Sequence, residues 1–479
     1  MKLKILIYMN EESSSSSKND LKELIRNTNE KFIKEDLISF LKIPSYTSNG
    51  EAIKEAKDFV VSYISNFCEN IIEIEGEMNS LLLAEVDGDI KEQLLIYMMY
   101  DTQPVNKEKE WIKNPFGAEI TDLPKPLDKI GNVIIARGAY NSKTPLLCFL
   151  NVVKLLKEEE KLPISLLFLI DGEEELGSPT LLNTLKSKKN TFNSCIDAYY
   201  PSIKQDLNGI SVLKLGYKGI LSLTIKVSTT NKELHSAFNA MIPNPAQDLI
   251  FVLNGIYSEN KFKINSLRAP YKMTKREIKI IEGLMESIDL EIIKEKAGIK
   301  QTLIDDPKVN FIDYLFNPTF NISTLKSGYL EDGVKNIVAN EAVCNIDIRF
   351  AHDVSANLIF EEIKKKVKDI TKNLKSRFEI IQNMGYNRSQ VRQDSILVKS
   401  LVDSFKQLGI TTQIWPISPA AAPLSQIQSQ LGLNFIVGGL GIGGYAHAPN
   451  EFVQVNSIQN TRLSNYFFLK NYSDLYSEI

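Results

Sequence analysis

A chain of 479 residues exceeds what one ordinary hydrophobic core absorbs, so at least two domains are expected. Apolar residues make up 43% and charged residues 24%, a globular balance that excludes wholesale disorder, collagen and low-complexity architectures. Lys and Arg number 56 against 59 Asp and Glu, and the resulting net charge of -3 supplies no basic footprint for nucleic acid and no polybasic face for a membrane.

The N-terminal Met1-Lys2-Leu3-Lys4, followed by Ile5 to Met9, is too short for a signal-peptide core, and no small-residue cleavage site follows. Glu11-Glu12 and the serines Ser13 to Ser17 carry no core-forming side chains, so residues 1–20 are expected to form a disordered tail. No run approaches the roughly 20 apolar residues of a membrane span. Cys68, Cys148, Cys195 and Cys344 lie far apart without CxxC spacing, which suits buried thiols in a reducing cytosol rather than a disulfide framework or a thiolate zinc site. A cytoplasmic protein is expected.

Helical periodicity spans residues 21–41 and closes at Pro44, and a second helix is expected over 52–67. Continuous apolar runs at 80–86, 94–99 and 164–170, with a shorter one at 132–135, suit strands buried on both faces. A helix over 145–158 lies between the last two, with Pro145 in its first turn. This alternation predicts an α/β layer structure.

The pattern changes near Gly216. Residues 220–228 alternate, a helix starts near Pro245, and a charged helical stretch covers 274–296. Alternation at 319–323 and 342–350 suits an antiparallel sheet with one exposed face, and a helix follows at 355–367. The α/β pattern resumes with a helix at 396–408 and a strand at 433–437. The predicted organisation is an α/β domain over 21–215 and 388–479, interrupted by an α+β domain at 216–387.

Ligands in open α/β sheets gather at strand ends, and three strand ends here carry chemistry. One leads into Tyr100-Asp101-Thr102-Gln103, another into Asp171-Gly172-Glu173-Glu174-Glu175. The third is a glycine run, Gly438 to Gly444, followed by Tyr445-Ala446-His447-Ala448-Pro449-Asn450-Glu451. That run lacks the Lys-Ser/Thr end of a phosphate loop.

In combination these segments resemble the co-catalytic zinc peptidases of the carnosinase, carboxypeptidase G, acetylornithine deacetylase and succinyl-diaminopimelate desuccinylase type, the dipeptidase branch above all. The resemblance runs from about Asp36 to the C-terminus. It rests on "LLIYMMYDTQPVNKEKEWIKNPF" (94–116), "ARGAYNSKTP" (136–145), "DGEEELGSP" (171–179), "LHSAFNAMIPNPA" (234–246), "SGYLEDGVKNIVANEAVCNIDIRF" (327–350) and "GGLGIGGYAHAPNEF" (438–452). It implies a mixed sheet flanked by helices, an inserted lid domain that dimerises, and hydrolysis of a peptide or amide bond by a metal-bound water. A small peptide-like substrate and a homodimer through the lid are the implied partners.

The resemblance also implies two zinc-like ions held by five side chains, and these are not all present. The second ion's ligands fall at Met99, Asn141 and Ser202 or Ile203. For the first ion Glu175 and His447 remain, with Asn141 in place of the Asp that bridges both ions. A thioether is a soft ligand ill-suited to zinc, and Asn141 offers at best a neutral carbonyl oxygen. At most one divalent ion, zinc foremost, is therefore expected, or none. Glu174 matches the general base. Asp101 matches the carboxylate that orients the lost His, and His235 the lid residue that reaches a partner's oxyanion. Arg349 matches the lid arginine that reads a substrate carboxylate, and Ala421 replaces the Ser of the substrate loop. His352 matches nothing and is expected on an exposed loop. Two functions follow: a dipeptidase- or deacylase-like hydrolase working with one ion, or an inactive pseudoenzyme that keeps fold, dimer and cleft for binding.

Overall fold

The computed structural model describes residues 16–478 apart from 292, 293, 295–298, 423 and 424. Residues 1–15 of the expected tail lie outside the described residues, and helix α1 (Ser16–Asn27) begins inside the segment read as tail. The further helices used below are α2 (Gly50–Ile64), α3 (Lys143–Glu158), α4 (Pro245–Ile256), α5 (Ala356–Ile370), α6 (Ile396–Gln407) and α7 (Val455–Tyr476). The strands of the two main sheets are β1 (Asn70–Ile74), β2 (Leu81–Val86), β3 (Ile90–Met99), β4 (Ile164–Asp171), β5 (Cys195–Pro201), β6 (Gly219–Ser228), β7 (Thr319–Ser327), β8 (Glu341–Phe350), β9 (Arg377–Tyr386) and β10 (Asn434–Gly438).

The chain divides into two compact units. One runs to Val212 and takes up Asp394–Thr412 and the chain from Val437 on, and the other comprises Leu213–Gln393 and Gln413–Ile436. The first is built on a mixed sheet in the order β1-β2-β4-β3-β5-β10. β4, β3 and β5 are parallel neighbours, while β2 and β1 join antiparallel. Every residue of β4 is buried, as is the apolar run of β3 from Leu94 to Met99, which is why both read as unbroken hydrophobic runs. Helix α3 buries nearly its whole surface, including Lys143, whose Nζ donates to the carbonyls of Phe40 and Ile43.

The 132–135 run forms a strand, Val133–Ile135, but outside the main sheet. It belongs to a small antiparallel sheet with Glu119–Thr121, Gly443–Gly444 and Phe452–Gln454. Its residues are fully buried beside Trp111, Leu123 and Phe452, so hydrophobicity alone did not reveal which sheet they join. The helix expected at 21–41 is interrupted at Thr28, whose Oγ1 donates to the Leu24 carbonyl, and continues through a π-helical stretch, Phe32–Leu37.

The second unit is an antiparallel sheet in the order β7-β8-β6-β9, with α4 and α5 packed on one face. β6 and β8 alternate buried and accessible residues, and α5 turns Ile359, Ile363 and Val367 inward at the i, i+4 spacing of an amphipathic helix. Ser355 caps α5 by accepting from Leu358 N–H, and Asn244 followed by Pro245 starts α4. No helix among the described residues is long and apolar enough to cross a membrane.

Candidate functional site

β3 and β4 run parallel with Met99 opposite Asp171, so the two acidic segments leave the sheet at the same edge. The Tyr100 N–H donates to the Asp171 carbonyl at 2.9 Å and locks the exits together. Asp101 Oδ2 accepts the Glu175 N–H at 3.0 Å, while Gln103 Nε2 donates to Glu175 Oε2 at 2.8 Å. Asp171 accepts from the Tyr97 hydroxyl at 2.8 Å and from the Glu173 N–H at 2.8 Å. Asp101, Glu174 and Glu175 are thereby placed on one rigid strand-end platform.

The small sheet delivers the rest. Its Val133–Ile135 and Phe452–Gln454 strands pair antiparallel, which sets residues 136–142 beside residues 445–451. Glu451 is fully buried and ties the two segments together: Oε2 pairs with Arg137 Nη1, and Oε1 accepts the N–H groups of Tyr140 and Asn141 at 3.0 and 2.8 Å. Arg137 lies with its guanidinium carbon 5.4 Å from the Trp111 ring centroid, a cation–π contact.

Three of the expected site residues converge where platform and loop meet. Asn141 Nδ2 donates to Glu175 Oε1 at 2.7 Å and stands 3.0 Å from His447 Nε2. His447 Nε2 is itself 3.2 Å from Glu175 Oε1. On the other side Asn141 Oδ1 accepts from the Ser142 hydroxyl at 2.9 Å, and that hydroxyl lies 2.8 Å from the Tyr200 hydroxyl. Glu175 is 5% exposed and His447 53%, so the cluster has a buried floor and an open rim. The His447 backbone holds φ at 64°, a left-handed conformation uncommon for a residue with a side chain.

The electrostatics follow from crowding acids out of water. Burial first, then the charges of Asp171, Glu174 and Glu175, push the Asp101 carboxyl well above the usual range. Burial likewise raises Asp171. Glu174 is raised to about 8, chiefly by burial, then by Glu175 and Asp171, with Lys204 opposing. His447 is raised by its bond to Glu175, against the effect of burial. Burial also raises Glu451, and Arg137 opposes.

The donor set does not fit a pair of divalent ions. Met99 is a buried thioether, 1% exposed, at the position where the resemblance expects a His. Asp101 Oδ1 is buried without a hydrogen-bond partner among the described residues, as follows when no imidazole N–H is there to take it. Ser202 and Ile203 are both buried: the Ser202 N–H donates to the Gly438 carbonyl at 2.7 Å, and Ile203 packs under Gly441. For a single ion Glu175 and His447 remain, yet Asn141 turns its NH2 group toward them, and an amide N–H is a donor rather than a ligand. Among the described residues no group of three or more His, Cys, Asp or Glu is arranged to hold a metal ion.

The other expected site residues lie in the second unit. His235 is exposed on the short strand Leu234–His235, which pairs with Ile337–Val338, and its Nδ1 accepts the Ala237 N–H at 3.2 Å. Arg349 lies in β8 on the accessible face of the sheet, with Nε 3.7 Å from Asp347 Oδ1. His352 lies on a loop as expected but is half-buried rather than exposed. Its Nε2 is 2.9 Å from the Ala269 carbonyl and its ring packs edge-on against Tyr271, while burial lowers its pKa. Sequence reasoning passed over Arg137, Glu451, Ser142, Tyr200 and Gln103. All but Tyr200 stood inside the quoted motifs, but only the fold reveals that Arg137 and Glu451 pair.

Comparison with known proteins agrees with this architecture. The family model for peptidase family M20/M25/M40 matches residues 95–463. The chain is 24% identical over 301 residues to the Beta-Ala-His dipeptidase of Rattus norvegicus, a match covering 60% of this chain and 58% of that protein. It is 23% identical over 358 residues to the Cys-Gly metallodipeptidase dug1 of Schizosaccharomyces pombe, covering 70% and 72%. The matches thus span under two thirds of the length of the rat dipeptidase and of its human counterpart. The crystal structure of an M20 family metallo-carboxypeptidase from Sulfolobus solfataricus superposes with a TM-score of 0.82 at 27% identity, covering 91% of this chain and 98% of that one. A family match that takes in more than three quarters of the chain makes this protein a member of peptidase family M20/M25/M40.

Proposed function

We propose that this chain is a non-hydrolysing member of its family, which keeps the strand-end site for binding a small peptide-like ligand. One observation carries the reading: the Asn141 amide donates to Glu175 and faces His447, where a peptidase of this type needs anionic oxygen around a cation. The energetics reinforce it. Zinc lowers the pKa of its bound water from about 15.7 to about 7, worth roughly 12 kcal/mol in generating the nucleophile. A positioned general base supplies about 10²–10⁴-fold, or roughly 3–5 kcal/mol, so Glu174 alone does not replace the ion.

A second reading has its own support. Glu174 is partly accessible and its carboxyl is raised to about 8, within reach of general-base work near neutral pH, and Glu175 and His447 still converge beside it. That reading is a hydrolase working with one ion. The roles of Arg349 as a carboxylate reader and His235 as an oxyanion contact rest on the family resemblance, as does a homodimer through the inserted unit. A cytoplasmic setting is part of the same proposal and rests on the dispersed cysteines, all free thiols.

The test is turnover of β-Ala-His and Cys-Gly, the dipeptides named for the relatives, with zinc, manganese or cobalt, alongside calorimetric binding of the same peptides. Binding without turnover is expected. Metal-dependent hydrolysis that Glu174→Gln abolishes would replace the first reading with the second.

A further inference from the structure

We infer that the Asn141 side-chain amide stands in for the family's metal ion, so that the carboxylate–imidazole cluster is held by hydrogen bonds instead of coordination and the site is built without a divalent cation. The inference rests on the membership and site assignment above and deepens the proposed loss of hydrolysis.

The geometry fixes which end of the amide faces the cluster. Its oxygen is engaged on the far side by the Ser142 hydroxyl at 2.9 Å, itself 2.8 Å from Tyr200, and its nitrogen lies 2.7 Å from Glu175 Oε1 and 3.0 Å from His447 Nε2. Turning the amide over would set Oδ1 against the Glu175 carboxylate, acceptor against acceptor at 2.7 Å. With the nitrogen inward, Glu175 Oε1 accepts an amide hydrogen and also lies 3.2 Å from His447 Nε2, so amide, carboxylate and imidazole meet at one shared acceptor. An Asp at 141 would put a second anionic oxygen within 2.7 Å of Glu175, a spacing that needs a cation between them. Replacing that oxygen by NH2 turns repulsion into a charge-assisted hydrogen bond with no ion required. The backbone frame is independent of the ion as well. The N–H of Asn141 is held by Glu451, and Glu451 is paired with Arg137.

Two other positions agree. Met99 fills its place at the end of β3 with a buried apolar side chain, and Asp101 keeps an oxygen without a donor among the described residues. Each is what remains when an imidazole ligand is lost while the strand end around it is kept.

The experiment compares thermal midpoints of the full chain and its variants in EDTA and in zinc chloride, with metal content by mass spectrometry. The wild type is expected to purify without stoichiometric metal and to show the same midpoint in both conditions. Asn141→Asp is expected to melt lower in EDTA, to rise by several degrees in zinc, and to bind about one equivalent, because binding to the native state alone raises stability. Asn141→Ala, which lacks both the charge and the donor, is expected to melt lower in both conditions without rescue, and it decides the matter should the Asp variant fail to fold. A wild type whose midpoint falls in EDTA and recovers in zinc overturns the inference, as does an Ala variant that melts like the wild type. The readout is separate from function. Dipeptide turnover would sink the proposed function, whereas a metal-sensitive protein without turnover would sink only the stand-in.

Discussion

Glu174 is the residue whose protonation the fold perturbs most usefully, because it is partly accessible and sits beside two other acids. Its carboxyl is raised from 4.5 to about 8, so between those values the folded chain holds a proton that the unfolded chain has released. The stability linked to that proton is fully present below about pH 4.5 and is lost as pH rises through about 8. Asp101 and Asp171, both raised, act in the same direction. Glu174→Gln is neutral at every pH, so its melting temperature should exceed the wild type's above about pH 9 and fall back to parity near pH 5, read by calorimetric scans across that range. A variant that tracks the wild type at every pH would mean that Glu174 ionises freely. The same residue supplies a control for rebuilding the site. Met99→His with Asn141→Asp and Asp at 202 or 203 should restore two-ion binding, measured as metal equivalents, and raise hydrolysis of a dipeptide. Glu174→Gln in that background should then remove turnover while both ions stay bound, since it handles the proton rather than the metal.

At the scale of elements, the site depends on two segments brought together by one buried ion pair. Arg137 is 2% exposed and Glu451 0%, and the same carboxylate also caps two backbone N–H groups of the Asn141 loop. Glu451→Ala leaves a buried guanidinium and two half-buried N–H groups without their carboxylate, a loss on the order of 3–5 kcal/mol. Urea denaturation should register that loss as a lower midpoint, and Glu451→Gln should recover part of it through the backbone bonds. These partners are 314 positions apart, which explains why the pairing was not legible in the sequence. What was legible depended on local pattern. β4 and the apolar run of β3 are buried at every residue and read as strands, and the alternation of β8 announced a one-sided sheet. Helix α7 gave no such signal. Its buried face mixes Ile458, Leu463, Phe468 and Leu469 with Ser457, Thr461, Arg462 and Asn465, so the apolar stripe that marks a packed helix is broken by polar residues. Arg462 explains how that face is satisfied, donating to Asn151, to the Ile25 carbonyl and to Thr28. For the site, Glu175 and His447 stood in strand-end segments and Asn141 came from the family resemblance, but the direction in which the Asn141 amide points is set by Glu175, Ser142 and Tyr200, and no sequence spacing encodes it.

At the scale of the whole molecule, the second unit leaves apolar side chains in water on elements that a symmetric partner would cover. Ile250 and Phe251 on α4 are 59% and 51% exposed, and Ile322 and Leu325 on β7 are 43% and 54% exposed. β7 is an edge strand of its sheet, with one side of its ladder unpaired among the described strands. An open edge flanked by exposed apolar residues is a surface that soluble proteins normally protect, and a two-fold dimer, the commonest soluble assembly, would cover it. We therefore propose that this face forms the homodimer that the family resemblance implies. Light scattering at micromolar concentration should give twice the chain mass of 54.1 kDa. Phe251→Glu combined with Leu325→Lys should shift the assembly to monomer, weakening association by about 100-fold or more, since buried aromatic anchors carry much of an interface's energy. Both positions face solvent within the chain, so the far-ultraviolet circular dichroism of the double variant should match the wild type. A wild type that remains monomeric at that concentration, or a double variant that still sediments as a dimer, would move the interface elsewhere or remove it.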